Sequence, residues 1–204
     1  MTEEQARDWA VQRFGEDAAA KIDWFLNLVI VENDQQNLIA PSTIATIWAR
    51  HALDSLQLIP LADRADGQWI DIGTGGGFPG MVVALAWPGQ VALVEPRKRR
   101  AEFLRDCAET LGVADRVTVH ASKIESVQAK ADIISARAVA TVENLLRAAA
   151  HCGKQETRWL LPRGRLDERE LKTLSRQWRF VFHVEHSITS TDSSIVILDR
   201  VGAR

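Results

Sequence analysis

Five of the twelve glycines fall within eight residues, at positions 73, 75, 76, 77 and 80. The string runs Asp71-Ile72-Gly73-Thr74-Gly75-Gly76-Gly77-Phe78-Pro79-Gly80. Without a Cβ, such a loop turns sharply and lets a ligand approach the backbone. A helix opening directly after it offers free N–H donors to a phosphate or carboxylate. Glu95 follows Gly73 by twenty-two residues, at the predicted end of the next strand. An acid there can accept both hydroxyls of a ribose. Loop and acid together fit an adenosine-containing cofactor. Gly75, Gly77 and Gly80 also satisfy G-x-G-x-x-G, which keeps a nicotinamide dinucleotide, and hence an oxidoreductase, among the candidates.

Other side chains with chemistry are scattered. Arg137 and Arg163 each follow a predicted strand, where a guanidinium can hold a phosphate or fork onto guanine O6. His51 and Asp54 stand three apart, and Arg50 and Asp54 four apart, so on a helix either pair can touch. With Ser55 they hint at a hydrolase triad, but no G-x-S-x-G turn or oxyanion donor accompanies them. They read instead as a polar network tying the N-terminal helices to the rest. Arg97-Lys98-Arg99-Arg100 is the one basic run. Cations are unfavourable at a helix start, so the run reads equally well as solvated surface or as a phosphate contact. His183 and His186 point to opposite faces of a strand, and no acid or cysteine cluster joins them, so no metal is expected.

Elements must bring these residues together. Residues 1–62 read as helical, with a capping box at Thr2 and Gln5. Ile22, Phe25, Leu26, Val29 and Ile30 recur at helical spacing. Asn33 to Asn37 is polar and reads as a loop, and Pro41-Ser42 opens a helix carrying Ile44, Ile47, Trp48 and His51 on one stripe. Beyond residue 62 the rhythm becomes strand–helix. Strands are predicted at 69–72, 91–94, 117–119, 132–135, 159–161, 179–184 and 195–198, with helices at 79–87, 96–111, 142–150 and 167–177. Alternation of this kind makes a mostly parallel sheet covered on both faces. No helix separates the last two strands, so they form an antiparallel edge hairpin. The chain divides into a helical cap, 1–62, not independent, and an α/β body, 63–204.

Composition excludes several classes. With 46% hydrophobic and 25% charged residues in 204, the chain is globular, neither disordered nor collagenous. Cys107 and Cys152 are too few for a disulfide framework and suit a reducing compartment. No apolar run spans a membrane and no signal peptide leads the chain, so a cytoplasmic location is expected. A net charge of −2 argues against a protein that coats nucleic acid indiscriminately.

The glycine string also reads D-x-G-x-G-x-G from Asp71 to Gly77. This closely resembles the first motif of the S-adenosylmethionine-dependent methyltransferases, whose strand-end acid sits near the methionine portion of the cofactor. The seven-strand pattern with its antiparallel edge looks like the Rossmann-like class I fold of those enzymes. Three segments narrow the resemblance: Arg50-His51-Ala52-Leu53-Asp54-Ser55, Asp71 to Gly80 with its Phe78-Pro79-Gly80, and Ser135-Ala136-Arg137-Ala138. Together they resemble the glucose-inhibited division protein B family, the bacterial 16S rRNA (guanine-N7)-methyltransferases, over about residues 22 to 200. Two departures are Asn37-Leu38-Ile39, where the family often has Asn-Leu-Thr, and Pro162-Arg163-Gly164, where it often has Lys-Gly.

The resemblance implies methylation of N7 of one guanosine in 16S rRNA, with S-adenosylmethionine as cofactor. It places the cofactor against Asp71, Gly73, Gly75, Phe78 and Glu95, the adenine near Ile124-Glu125, and Arg137 at the site mouth. Positioning of the base falls to Arg137, Arg163, His51 and Asp54, with no catalytic dyad. Guanine N7 has a lone pair and no proton, so no general base is needed. The partner would be 16S rRNA or the small ribosomal subunit, folded or protein-loaded rather than free strands, and the enzyme a monomer. The rivals are a methyltransferase of another substrate, the oxidoreductase, and an RNA-binding protein that has lost catalysis.

Overall fold

The computed structural model describes residues 1–137, 140–164 and 173–204. Its centre is a seven-stranded sheet in the order β3-β2-β1-β4-β5-β7-β6. The strands are β1 (Trp69–Ile72), β2 (Val91–Val94), β3 (Val117–His120), β4 (Ala131–Ser135), β5 (Gly153–Arg163), β6 (Trp178–His186) and β7 (Ser194–Ala203). The first five run parallel, and β7 lies antiparallel between β5 and β6. The expected fold class and antiparallel edge are therefore present. The last three strands are longer than their apolar cores suggested, because hairpin pairing extends β6 and β7 beyond the buried residues.

Side chains alternate across the pleat and build two cores. Trp69, Leu93, Ile133, Leu160 and Ile197 face one way, packing with the N-terminal helices, α5 (Gly80–Ala86) and α6 (Lys98–Thr110). Ile70, Val94, Ile134, Leu161 and Val196 face the other way, against α7 (Val142–Ala149). The expected helix over 167–177 lies mostly outside the described residues.

The N-terminal segment departs from expectation twice. The stretch 33–37 is not a loop: α2 (Glu16–Gln36) continues through it and ends at Asn37, in the left-handed conformation with φ 50°. Asn33 is buried because its side-chain carbonyl accepts the Ile39 N–H at 2.8 Å, closing the turn that follows. The stretch after Pro41 is not one α-helix. It is a 3₁₀ segment, Pro41–Thr46, then a π-helical turn, Trp48–Leu53, then the short helices α3 (Asp54–Leu56) and α4 (Leu58–Leu61). A distant acid makes this entry possible. Glu3, on α1 (Glu3–Phe14), accepts the backbone N–H groups of Trp48 at 2.8 Å and Ala49 at 3.0 Å.

Candidate active site

At the carboxyl edge of β1 the glycine loop is fixed from below and from the side. Asp71 is fully buried. Its carboxylate accepts the Gly80 N–H at 2.9 Å, supplying a cap to α5, and the Ser135 hydroxyl at 2.6 Å. Ser135 in turn accepts the Trp69 indole N–H at 2.8 Å. Burial pushes the Asp71 carboxyl up to about 6, against the hydrogen bonds that lower it. Asp71 thus lies under the loop and holds it. Glu95, 4% exposed, accepts the Gly75 N–H at 3.0 Å and the Arg97 N–H at 2.8 Å. A carboxylate has about four lone-pair sites, so two remain for hydroxyl donors. Gly73 and Gly75 have φ of 67° and 60°, a region that side chains rarely tolerate.

Beside this loop lies a crevice of about 260 Å³, walled by Ile72, Gly73, Val94, Pro96, Ile124, Glu125 and Leu145. Apolar walls, glycine backbone at one end and a buried acid nearby suit a purine nucleoside. Of the residues expected to take a cofactor, Gly73, Ile124 and Glu125 line the crevice and Glu95 anchors its loop. Val94, Pro96, Asn144 and Leu145 line it too and were not singled out from the sequence. Apolar wall residues, and a lone amide such as Asn144, carry no spacing signal of their own.

A second cavity, of about 380 Å³, opens at the same edge. It gathers Arg50, His51, Asp54, Arg137 and Arg163, so all four positioning candidates meet in one place. The guanidinium of Arg137 donates to Asp54 Oδ2 at 3.2 Å and to His51 Nδ1 at 3.3 Å. A guanidinium cannot accept, so His51 Nδ1 is the acceptor and the ring proton sits on Nε2. From there it is donated to Thr43 Oγ1 at 2.8 Å. Burial first, then Arg137 and Arg50, holds the imidazole down to about 4, and it is neutral at pH 7. Asp54 pairs with Arg137 rather than with Arg50.

Phe78 ties the glycine loop to the second cavity. It is 4% exposed, with its ring 5.5 Å from Phe25 of α2, 4.9 Å from His51 and 5.6 Å from the Arg137 guanidinium. Its place is therefore a wedge between cap and loop. Arg163 donates to the carbonyl of Ala140, which itself lines the first cavity. The turn between β6 and β7 closes the far wall. Thr189 Oγ1 donates to Asp54 Oδ1 at 2.9 Å, and Gln57 bonds both Asp54 at 2.8 Å and the Ile188 N–H at 3.0 Å. Thr43, Gln57, Ser187 and Thr189 went unremarked in the sequence. Isolated hydroxyls and amides give no periodic or spacing signal.

The apolar crevice beside a glycine loop and the 3-2-1-4-5-7-6 sheet define a class I S-adenosylmethionine-dependent methyltransferase. A solved S-adenosylmethionine-dependent O-methyltransferase from Thermotoga maritima superposes with a TM-score of 0.58, at 18% identity, covering 84% of this chain and 71% of that one. Residues 18–196 match the family model described as rRNA small subunit methyltransferase G. The chain is 42% identical to the ribosomal RNA small subunit methyltransferase G of Rhizorhabdus wittichii, over 100% of this chain and 95% of that protein. It is 44% identical to the enzyme of that name from Sphingopyxis alaskensis, over 96% of this chain and 85% of that protein. The chain belongs to the rRNA small subunit methyltransferase G family. The oxidoreductase reading of the glycine loop falls with that finding, since this family is one of methyltransferases.

Proposed function

We propose that this chain transfers a methyl group to N7 of a guanosine in 16S rRNA. Its family relatives carry the name of small-subunit rRNA methyltransferases. The observation that carries the reading here is the basic cavity sharing the loop after β4 with the nucleoside crevice. Arg137 stands in the cavity, while Ala140 lines the crevice.

S-adenosylmethionine, when bound, supplies an electrophilic methyl group. Gly73, Gly75 and Glu95 would hold its ribose and methionine portions, and Ile124 and Glu125 its adenine. Asp71 and Phe78 act by fixing the loop. The chain's remaining work is orientation. Arg137 and Arg163 hold the target nucleotide by phosphate or by guanine O6, which leaves N7 facing the crevice. Asp54 and neutral His51 fix the Arg137 fork. No residue is required to remove a proton, in keeping with a site whose histidine is hydrogen-bonded at both nitrogens.

In this reading the cap, residues 1–62, works as one wall of the site against the α/β body, residues 63–204. The enzyme acts as a monomer in the cytoplasm. No helix among the described residues is long and apolar enough to cross a membrane. Among them, no cluster of three or more His, Cys, Asp or Glu side chains is placed to hold a metal.

The test is transfer of labelled methyl to small subunits from cells lacking this protein, followed by mapping of the label. Label at a single guanine N7 is expected. Label on protein, or on another base atom, would overturn the reading.

A further inference from the structure

The four cations of the run 97–100 do not behave alike. Arg100 is partly buried and committed: its guanidinium donates to the Asn37 carbonyl at 3.1 Å and sits 3.7 Å from where a Cβ on Gly75 would lie. It ties α6 to the end of α2 and to the glycine loop. Arg97, Lys98 and Arg99 are exposed, and among the described residues none of them forms an ion pair. Other cations of the chain are held by carboxylates. At the opposite end of the sheet Arg64 and Lys154 pair with Asp132 at 3.1 and 2.7 Å, and Arg158 pairs with Asp199 at 2.9 Å.

The three exposed cations are also placed against local physics. They open α6, where the macrodipole favours acids, yet the first turn holds no acid and Arg97 at the N-cap makes no side-chain cap bond. Nothing in the helix is served by them. Their position is that of the site, since the Arg97 N–H is bound to Glu95 at the carboxyl edge of β2. Lys123, exposed and lining the nucleoside crevice, stands beyond β3 at the same edge. The basic cavity lies beyond β4, two strand spacings away across β1, or roughly 10 Å. A chain of net charge −2 thus places cations on both sides of its glycine loop, and those on the α6 side, Arg97, Lys98 and Arg99, are the exposed ones that form no ion pair among the described residues.

We infer that Arg97, Lys98 and Arg99 form a ridge that grips the sugar–phosphate backbone of the RNA flanking the target nucleotide, while Arg100 serves the fold. This rests on the reading that the substrate is rRNA. An anionic backbone is the occupant that matches an unpaired cation row with no apolar or hydrogen-bonding selectivity.

The experiment compares the wild type, the triple variant Arg97→Glu/Lys98→Glu/Arg99→Glu, and Arg100→Glu. Affinity for 16S rRNA and small subunits is measured between 50 and 200 mM salt, with cofactor affinity, Tm and methyl transfer followed separately. The triple variant is expected to bind RNA at least tenfold more weakly at about 100 mM salt. Its log–log salt slope should fall by about 2 to 3, for three lost phosphate contacts. Its cofactor affinity should hold, and its Tm should be unchanged or raised, because acids suit that helix end. Arg100→Glu should instead lower Tm. Wild-type RNA affinity and salt slope in the triple variant would overturn the ridge, as would a parallel loss of cofactor affinity. A wild type that binds RNA through the ridge but transfers no methyl to it would sustain the ridge and sink the proposed activity.

Discussion

The glycine-loop side of the site and its basic-cavity side are built on different plans. The first is contiguous: ten residues, 71–80, fixed by backbone N–H groups bonded to Asp71 and Glu95. The second is assembled from Thr43, His51 and Asp54 in the cap, Arg137 after β4, Arg163 on β5 and Thr189 before β7, joined mostly through side chains. A backbone-built region has little room to adjust and fails by steric intrusion. A side-chain network has rotatable parts and fails by losing a partner. Phe78 couples the two, being part of the loop while touching His51.

The largest effect should come from crowding the loop. A Cβ on Gly80 would lie 2.4 Å from Leu93 Cδ2 and 2.7 Å from Asp71 Oδ2, both in the packed interior. Overpacking of this sort costs about 1–3 kcal/mol or more, and it also parts the Asp71 carboxylate from the helix it caps. Gly80→Val should therefore lose at least about 3 kcal/mol in urea unfolding. Tenfold or greater loss of cofactor affinity should accompany it. An unchanged urea midpoint would show that the loop side is as adjustable as the cavity side.

Next comes pH, where the two regions pull in opposite directions. The Asp71 carboxyl titrates at about 6 when folded against an ordinary 3.8, so between those values the folded chain binds a proton the unfolded chain has shed. Its contribution is full below 3.8 and is lost as pH rises to about 6, a change of about 3 kcal/mol. His51 titrates at about 4 when folded against 6.5, so there the unfolded chain binds the extra proton. Its contribution grows as pH rises from about 4 to 6.5. Between pH 4 and 6 the two slopes oppose each other. Asp71→Asn should gain on the wild type as pH rises through this window, and His51→Gln should gain as pH falls. Parallel stability curves for wild type and both variants would refute both environments.

How far each region could be read from the sequence follows the same division. Asp71 to Gly80 and Glu95 were legible because contiguity and spacing carry their signal, and the sheet because strands alternate with helices. Arg137 and Arg163 were legible as cations after strands. That the Arg137 fork closes on His51 and Asp54 was not, because the pairing joins residues more than eighty positions apart. The same limit hid Glu3, which caps the π-helical turn from forty-five residues away. Polarity alone places Asn33 in a loop, but it is a weak guide where one buried side-chain bond, to the Ile39 N–H, decides the outcome.

On the cavity side the predictions turn from stability to rate. Arg137→Ala removes a half-buried guanidinium, and the neighbours it leaves, Asp54 and His51, keep Thr189, Gln57 and Thr43 as partners. Unfolding free energy should fall by only about 1 kcal/mol. Methyl transfer at saturating cofactor should fall about a hundredfold, since placement of the base is the chain's main contribution. Arg137→Lys should recover little of that, because a point charge cannot bridge Asp54 and His51 as a fork does. Rescue by lysine would reduce Arg137 to a simple countercharge.

The smallest effect should come from the turn that closes the cavity. Thr189→Val keeps the side-chain shape and deletes the hydroxyl bonded to Asp54 at 2.9 Å. Asp54 Oδ1 still accepts from Gln57 at 2.8 Å, so the carboxylate is not left bare. A loss of about 0.5–1 kcal/mol is expected, with KM for the RNA raised a fewfold and cofactor affinity untouched. Gln57→Leu cuts deeper, because Gln57 also accepts the Ile188 N–H and bonds Ser187, so one substitution removes the cap's bonds to the turn at both residues. If Thr189→Val and Gln57→Leu raise KM without altering cofactor affinity, the turn belongs to the substrate side. If cofactor affinity falls with them, the network reaches through Phe78 to the glycine loop, and the two sides are one mechanical unit.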